Sequence, residues 1–68
     1  MIKLFKLIEK PGACHPFSIQ IYTYSQGEKF KISVRDGYSG DSIEFVDDEL
    51  EDFFDAIDEA RSVIKDAR

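Results

Sequence analysis

From Phe17 to Tyr24 the chain alternates with period two. Phe17, Ile19 and Ile21 fall on one side, and Ser18, Gln20, Tyr22 and Tyr24 on the other. Ser25-Gln26-Gly27-Glu28 has turn chemistry, with Gly27 free to take positive φ. Alternation then resumes: Phe30, Ile32 and Val34 point one way, and Lys29, Lys31, Ser33 and Arg35 the other. The two runs predict an antiparallel hairpin with one buried face. Asp36-Gly37-Tyr38-Ser39-Gly40-Asp41 is a loop, and Ser42-Ile43-Glu44-Phe45-Val46 a short strand with Ile43 and Phe45 inward.

Beyond Val46 the period changes. Leu50, Phe53, Ile57, Ala60, Ile64 and Ala67 step by three and four, with Phe54 and Val63 widening the stripe. This predicts an amphipathic helix of about five to six turns. Asp47 or Asp48 can cap it, and Asp48 with Glu51 has the capping-box spacing. Acids crowd its first turn while Lys65 and Arg68 close the last, which suits the helix dipole. The first segment fits two periods. Leu4, Phe5, Leu7 and Ile8 could line a helix; Ile2, Leu4 and Ile8 could line one side of a strand. It is assigned as a strand that stops at Pro11-Gly12.

The expected fold is α+β, β-β-β-β-α: strands near 2–9, 17–25, 29–36 and 42–46, and a helix near 47–67 packed on one sheet face. Phe17, Ile19, Ile21, Phe30, Ile32, Val34, Ile43, Phe45, Leu50, Phe53, Ile57 and Ile64 should form its core.

Length changes this picture. Sixty-eight residues allow one domain, 1–68, with a small core, so pairing with a second copy is expected. Phe54, Ile57 and Ile64 are the candidate dimer interface, because the stripe exceeds what four strands need. One cysteine excludes an internal disulfide framework and fits a reducing compartment, cytoplasmic or nucleoid-associated, with viral origin open. No apolar run is long enough to span a membrane, and the first ten residues lack the pattern of a signal peptide.

The net charge of −5 hides a division. Residues 1–35 carry six cations against two acids, and residues 36–68 carry three against twelve, so the halves stand at +4 and −9. The acidic total argues against indiscriminate binding to duplex phosphate, so any nucleic-acid site must be local.

Candidate catalytic chemistry is sparse. Cys14-His15 is where reactive side chains meet, but neighbours in an extended loop diverge. Zinc wants four such ligands, and the chain has one Cys and one His. The loop between Pro11 and Pro16 is expected to hold a partly buried thiol. Asp36 to Asp41 has Tyr38 and Gly40 where a calcium loop needs oxygen ligands. No Gly-rich phosphate loop is present. The chain is read as a binding protein, not an enzyme, with no cofactor.

The outward side of the hairpin carries the functional signal. Gln20, Tyr22 and Tyr24 lie beside Lys29, Lys31, Ser33 and Arg35, with Lys3, Lys6 and Lys10 expected to extend the positive surface. Aromatic rings stack on unpaired bases and cations track phosphates, so the face fits single-stranded DNA or RNA. It fits equally the solvated face of an antiparallel pair.

Lys31-Ile32-Ser33-Val34-Arg35-Asp36, and the passage from Ser42 to Leu50, resemble the single-strand-binding domains of the positive cofactor four type. Ala56 to Lys65 is similar to the close of a Pur-type domain. The likeness runs from Phe17 to the C-terminus, about three quarters of the chain, and these segments are its suggestive pieces. The resemblance implies four strands and a helix, pairing through helices, and a transcription or replication cofactor that grips single strands on its sheet. The tryptophan of that pattern is missing at the helix start, where Leu50 or Phe53 stands instead. A second reading uses the other surface. Asp47, Asp48, Glu51, Asp52, Asp55, Asp58 and Glu59 could imitate phosphates and engage a basic protein surface, as small inhibitors from phages do.

Overall fold

The computed structural model describes residues 2–68 of the chain. Its elements are β1 (Lys3–Lys10), β2 (Phe17–Tyr24), β3 (Lys29–Asp36), β4 (Ser42–Val46), one 3-10 turn (Asp47–Glu49) and α1 (Leu50–Ala67). The strands form one open antiparallel sheet in sequence order, β1-β2-β3-β4, and the helix follows. This is the expected α+β architecture.

The central hairpin sets the two faces. Ile19 pairs with Val34, Ile21 with Ile32 and Thr23 with Phe30, while Ser18 faces Arg35, Gln20 faces Ser33 and Tyr22 faces Lys31. Directly opposed residues share a face, so apolar and polar sets separate cleanly. β4 continues both rows, with Ile43 opposite Val34, Phe45 opposite Ile32 and Glu44 opposite Ser33. At the tip the chain reverses through three consecutive residues of positive φ: Ser25 at 52°, Gln26 at 59° and Gly27 at 86°. Only glycine takes that conformation without steric cost, so Ser25 and Gln26 are strained.

β1 departs from the expected register. Leu4 lies opposite Tyr22, but Ile8 lies opposite Ile19, so the two occupy different faces. The shift falls between Leu4 and Lys6, at Phe5, whose ring meets Phe30 edge-on with centroids 5.8 Å apart. The apolar residues of β1 come in two adjacent pairs, Leu4-Phe5 and Leu7-Ile8, which strict alternation cannot place on one side. A bulge absorbs the extra residue and lets Phe5 and Ile8 share the apolar face.

The helix departs further. It starts directly at the end of the edge strand, with only the 3-10 turn between. A helix returning over a sheet ordinarily needs a loop of several residues to reverse its course. Here Leu50 and Phe53 are half-buried, Phe53 stacking on Phe45 at 4.3 Å, and every residue from Phe54 to Arg68 is exposed. Contact between helix and sheet is therefore confined to the first turns of α1. The expected core shrinks accordingly. Among the described residues only Ile32 and Ser33 are buried, while Ile19, Ile21, Phe30, Val34 and Phe45 are half-buried. Phe17, Ile43, Ile57 and Ile64, assigned to the core from their spacing, are exposed.

The capping residues also differ from expectation. Glu49 reaches back so that its Oε1 accepts from the Val46 N–H at 2.9 Å. Asp47 turns inward instead, its Oδ1 accepting from the Phe30 N–H at 3.0 Å. That bond ties the start of the helical segment to β3. No helix is long and apolar enough to cross a membrane among the described residues.

Candidate nucleic-acid interface

The polar face of the sheet is built row by row. Leu4, Tyr22, Lys31 and Val46 form one row across the four strands, and Leu7, Gln20, Ser33 and Glu44 the next. Glu9, Ser18, Arg35 and Ser42 form a third, and Tyr24 faces Lys29 at the hairpin end. The helix meets the sheet through Phe45, on the other face.

Tyr22 and Lys31 are the centre of this surface. The Lys31 ammonium lies 5.0 Å from the centroid of the Tyr22 ring, a cation–π contact, and reaches Glu44 at 3.5 Å. The Tyr22 hydroxyl points along the strand to Gln20 Oε1 at 3.5 Å. Both side chains are half-buried, held by neighbours on the same face, while Lys29 and Arg35 are exposed. The small Ser33, beneath them, is buried. Proteins that bind single strands combine aromatic rings on which bases stack with cations that track the backbone, and this face carries both residue types.

The structure gathers five of the expected residues, Tyr22, Tyr24, Lys29, Lys31 and Arg35, on one face. Lys6 and Lys10 are not among them. They lie opposite Ile21 and Phe17, on the apolar side with Ile8, and the bulge at Phe5 brings Lys3, opposite Thr23, to that side as well. In their place the polar face gains Leu4, Leu7 and Val46, all exposed. Leu7 and Val46 follow from alternation with Ile8 and Phe45, whereas the orientation of Leu4 depends on the bulge, which sequence alternation does not reveal.

At one end the face opens into a cavity of about 780 Å³, lined by Leu7, Gln20, Arg35, Asp36, Tyr38 and Ser39 among others. Two loops are clasped there. The His15 Nε2 lies 2.9 Å from Asp36 Oδ1, which also accepts from the Tyr38 N–H at 2.8 Å. The Tyr38 hydroxyl donates to the Cys14 carbonyl at 3.0 Å, and its ring meets the His15 ring edge-on. The Tyr38 N–H chiefly, with a smaller contribution from His15, holds the Asp36 carboxyl below its ordinary range despite some desolvation. The thiol of Cys14 takes no part and is exposed, not partly buried as expected, because the loop uses its backbone carbonyl. Sequence spacing gave no sign of this clasp, whose partners are over twenty positions apart.

Asp48 in the 3-10 turn and Glu51, Asp52, Asp55, Asp58 and Glu59 on α1 are all exposed, with Arg61 4.0 Å from Asp58. Asp47 is separated from them by its bond to β3. No group of three or more His, Cys, Asp or Glu side chains among the described residues is arranged to hold a metal ion.

Compared with protein-family models, curated proteins and solved structures, the chain finds no match.

Proposed function

We propose that this chain is a single-stranded nucleic-acid-binding module, acting through the polar face of its sheet as a transcription or replication cofactor. The observation that carries this reading is the Tyr22–Lys31 pair on a face the helix leaves free, with Tyr24, Lys29 and Arg35 around it. Bases stack on Tyr22 and Tyr24, and the cations lie along the phosphates. Leu4 and Val46 extend the apolar floor on either side. The net charge of −5 does not oppose this, because the acids concentrate on a helix that leaves the sheet edge. Their field is screened within about 8–10 Å at ordinary salt.

Fluorescence anisotropy with labelled single strands and duplexes tests the proposal. Single strands should bind in preference to duplex, with affinity falling as salt rises. Tyr22→Ala should weaken binding roughly tenfold at every salt concentration, since stacking releases no ions. Lys31→Ala and Arg35→Ala should also flatten the salt slope by about 0.7 each. Absence of binding by the parent would refute it. The exposed acids of α1 favour a second reading, docking on a basic protein surface, and that reading would then lead.

A further inference from the structure

Two apolar surfaces of this chain face solvent. One is the sheet face of Ile19, Ile21, Phe30, Val34 and Ile43, of which Ile43 is exposed and the rest only half-buried. The other is the helix stripe, where Phe54, Ile57, Val63 and Ile64 are 45%, 47%, 62% and 54% exposed. In one chain they do not meet, because α1 leaves the sheet after Phe53.

Two global quantities say how much is left uncovered. The radius of gyration is 13.7 Å, against about 11 Å for a compact domain of 68 residues. The accessible surface is 5600 Å², against about 4400 Å² for a compact monomer of 7.8 kDa. The excess, about 1200 Å² per chain and so about 2400 Å² for two, falls in the range that obligate homodimers bury. Charge points to the same occupant. Lys3, Lys6 and Lys10 flank the apolar sheet face and make no ion pair among the described residues. The helix carries Asp55, Asp58 and Glu59 beside its stripe.

We propose that two copies exchange helices, α1 of each chain lying across the apolar sheet face of the other. The contact is reciprocal, as a two-fold axis requires, and it sets the acidic helix of one copy against the lysines of β1 in the other. It leaves both polar sheet faces outward and does not depend on what they bind.

Sedimentation equilibrium of the full chain should give a mass of about 15.6 kDa, twice the 7.8 kDa of one chain. The exchange is read by cross-linking in a Cys14→Ser background with a short bis-maleimide. A chain carrying Ile57→Cys is mixed with one carrying Ile19→Cys or, as a second variant at an exposed position, Ile43→Cys. Covalent links between the two different chains are expected with at least one of these pairs. A mass of 7.8 kDa up to high micromolar concentration would overturn the proposal. So would a dimer whose links join only Ile57→Cys to itself, since the helices would then pair with each other.

Discussion

Asp36 is the residue on which two loops converge, and its charge has a measurable consequence. The Tyr38 N–H and the nearby His15 hold its carboxyl below the ordinary value of 3.8. A lowered value in the folded state means the contribution is complete above the unfolded value and lost as pH falls through the folded one. Thermal melts from pH 6 down to pH 2 should therefore show Asp36→Asn less stable than the parent at the upper end, the difference vanishing at the lower. A constant difference would mean that the clasp works by shape alone. Gly37 has a stricter role, because a Cβ there would come 2.8 Å from the Pro16 carbonyl oxygen, which accepts the Gly37 N–H. Gly37→Ala should cost about 1–3 kcal/mol in denaturant unfolding. At the hairpin tip Gln26 sits at φ 59°, where a side chain is disfavoured. Gln26→Gly should raise stability by about half a kcal/mol, the relief of strain slightly exceeding glycine's entropy cost.

Elements read differently according to how strictly their pattern alternates. β2 and β3 alternate without a break, and both the pairing and the faces of the hairpin follow from the residues alone. β1 has two apolar pairs, and the bulge at Phe5 turns Leu4 to the polar face, while Lys6 and Lys10, in alternation with Ile8, lie on the apolar face and not with the hairpin's cations. The helix was legible in extent, since stepping by three and four selects Leu50 to Ala67, but its direction was not. Direction depends on the absence of a loop after Val46, and on Asp47 binding the Phe30 N–H instead of capping. Within α1 Phe53 anchors to the sheet, stacked on Phe45. Phe53→Ala should cost about 1–2 kcal/mol, read from thermal melts of the parent and variant, because a half-buried ring and its stack are lost.

At the scale of the whole molecule, charge and apolar surface are distributed so that the two sides of the sheet differ in character. The side with Tyr22 and Lys31 is open and mixed in character, while the apolar side and the helix stripe are half-buried or exposed. The clasp of His15, Asp36 and Tyr38 closes one end of the open side and frames a cavity there. In the proposed function this side receives unpaired bases. The chain has three tyrosines, and two of them, Tyr22 and Tyr24, lie on the face in question. Titrating an isotopically labelled chain with a short single-stranded oligonucleotide, and following the tyrosine ring protons by NMR, reads the claim directly. Upfield ring-current shifts of Tyr22 and Tyr24, with the helix resonances from Asp55 to Arg68 unmoved, is the result expected. Unmoved Tyr22 and Tyr24 rings at saturating oligonucleotide would contradict it.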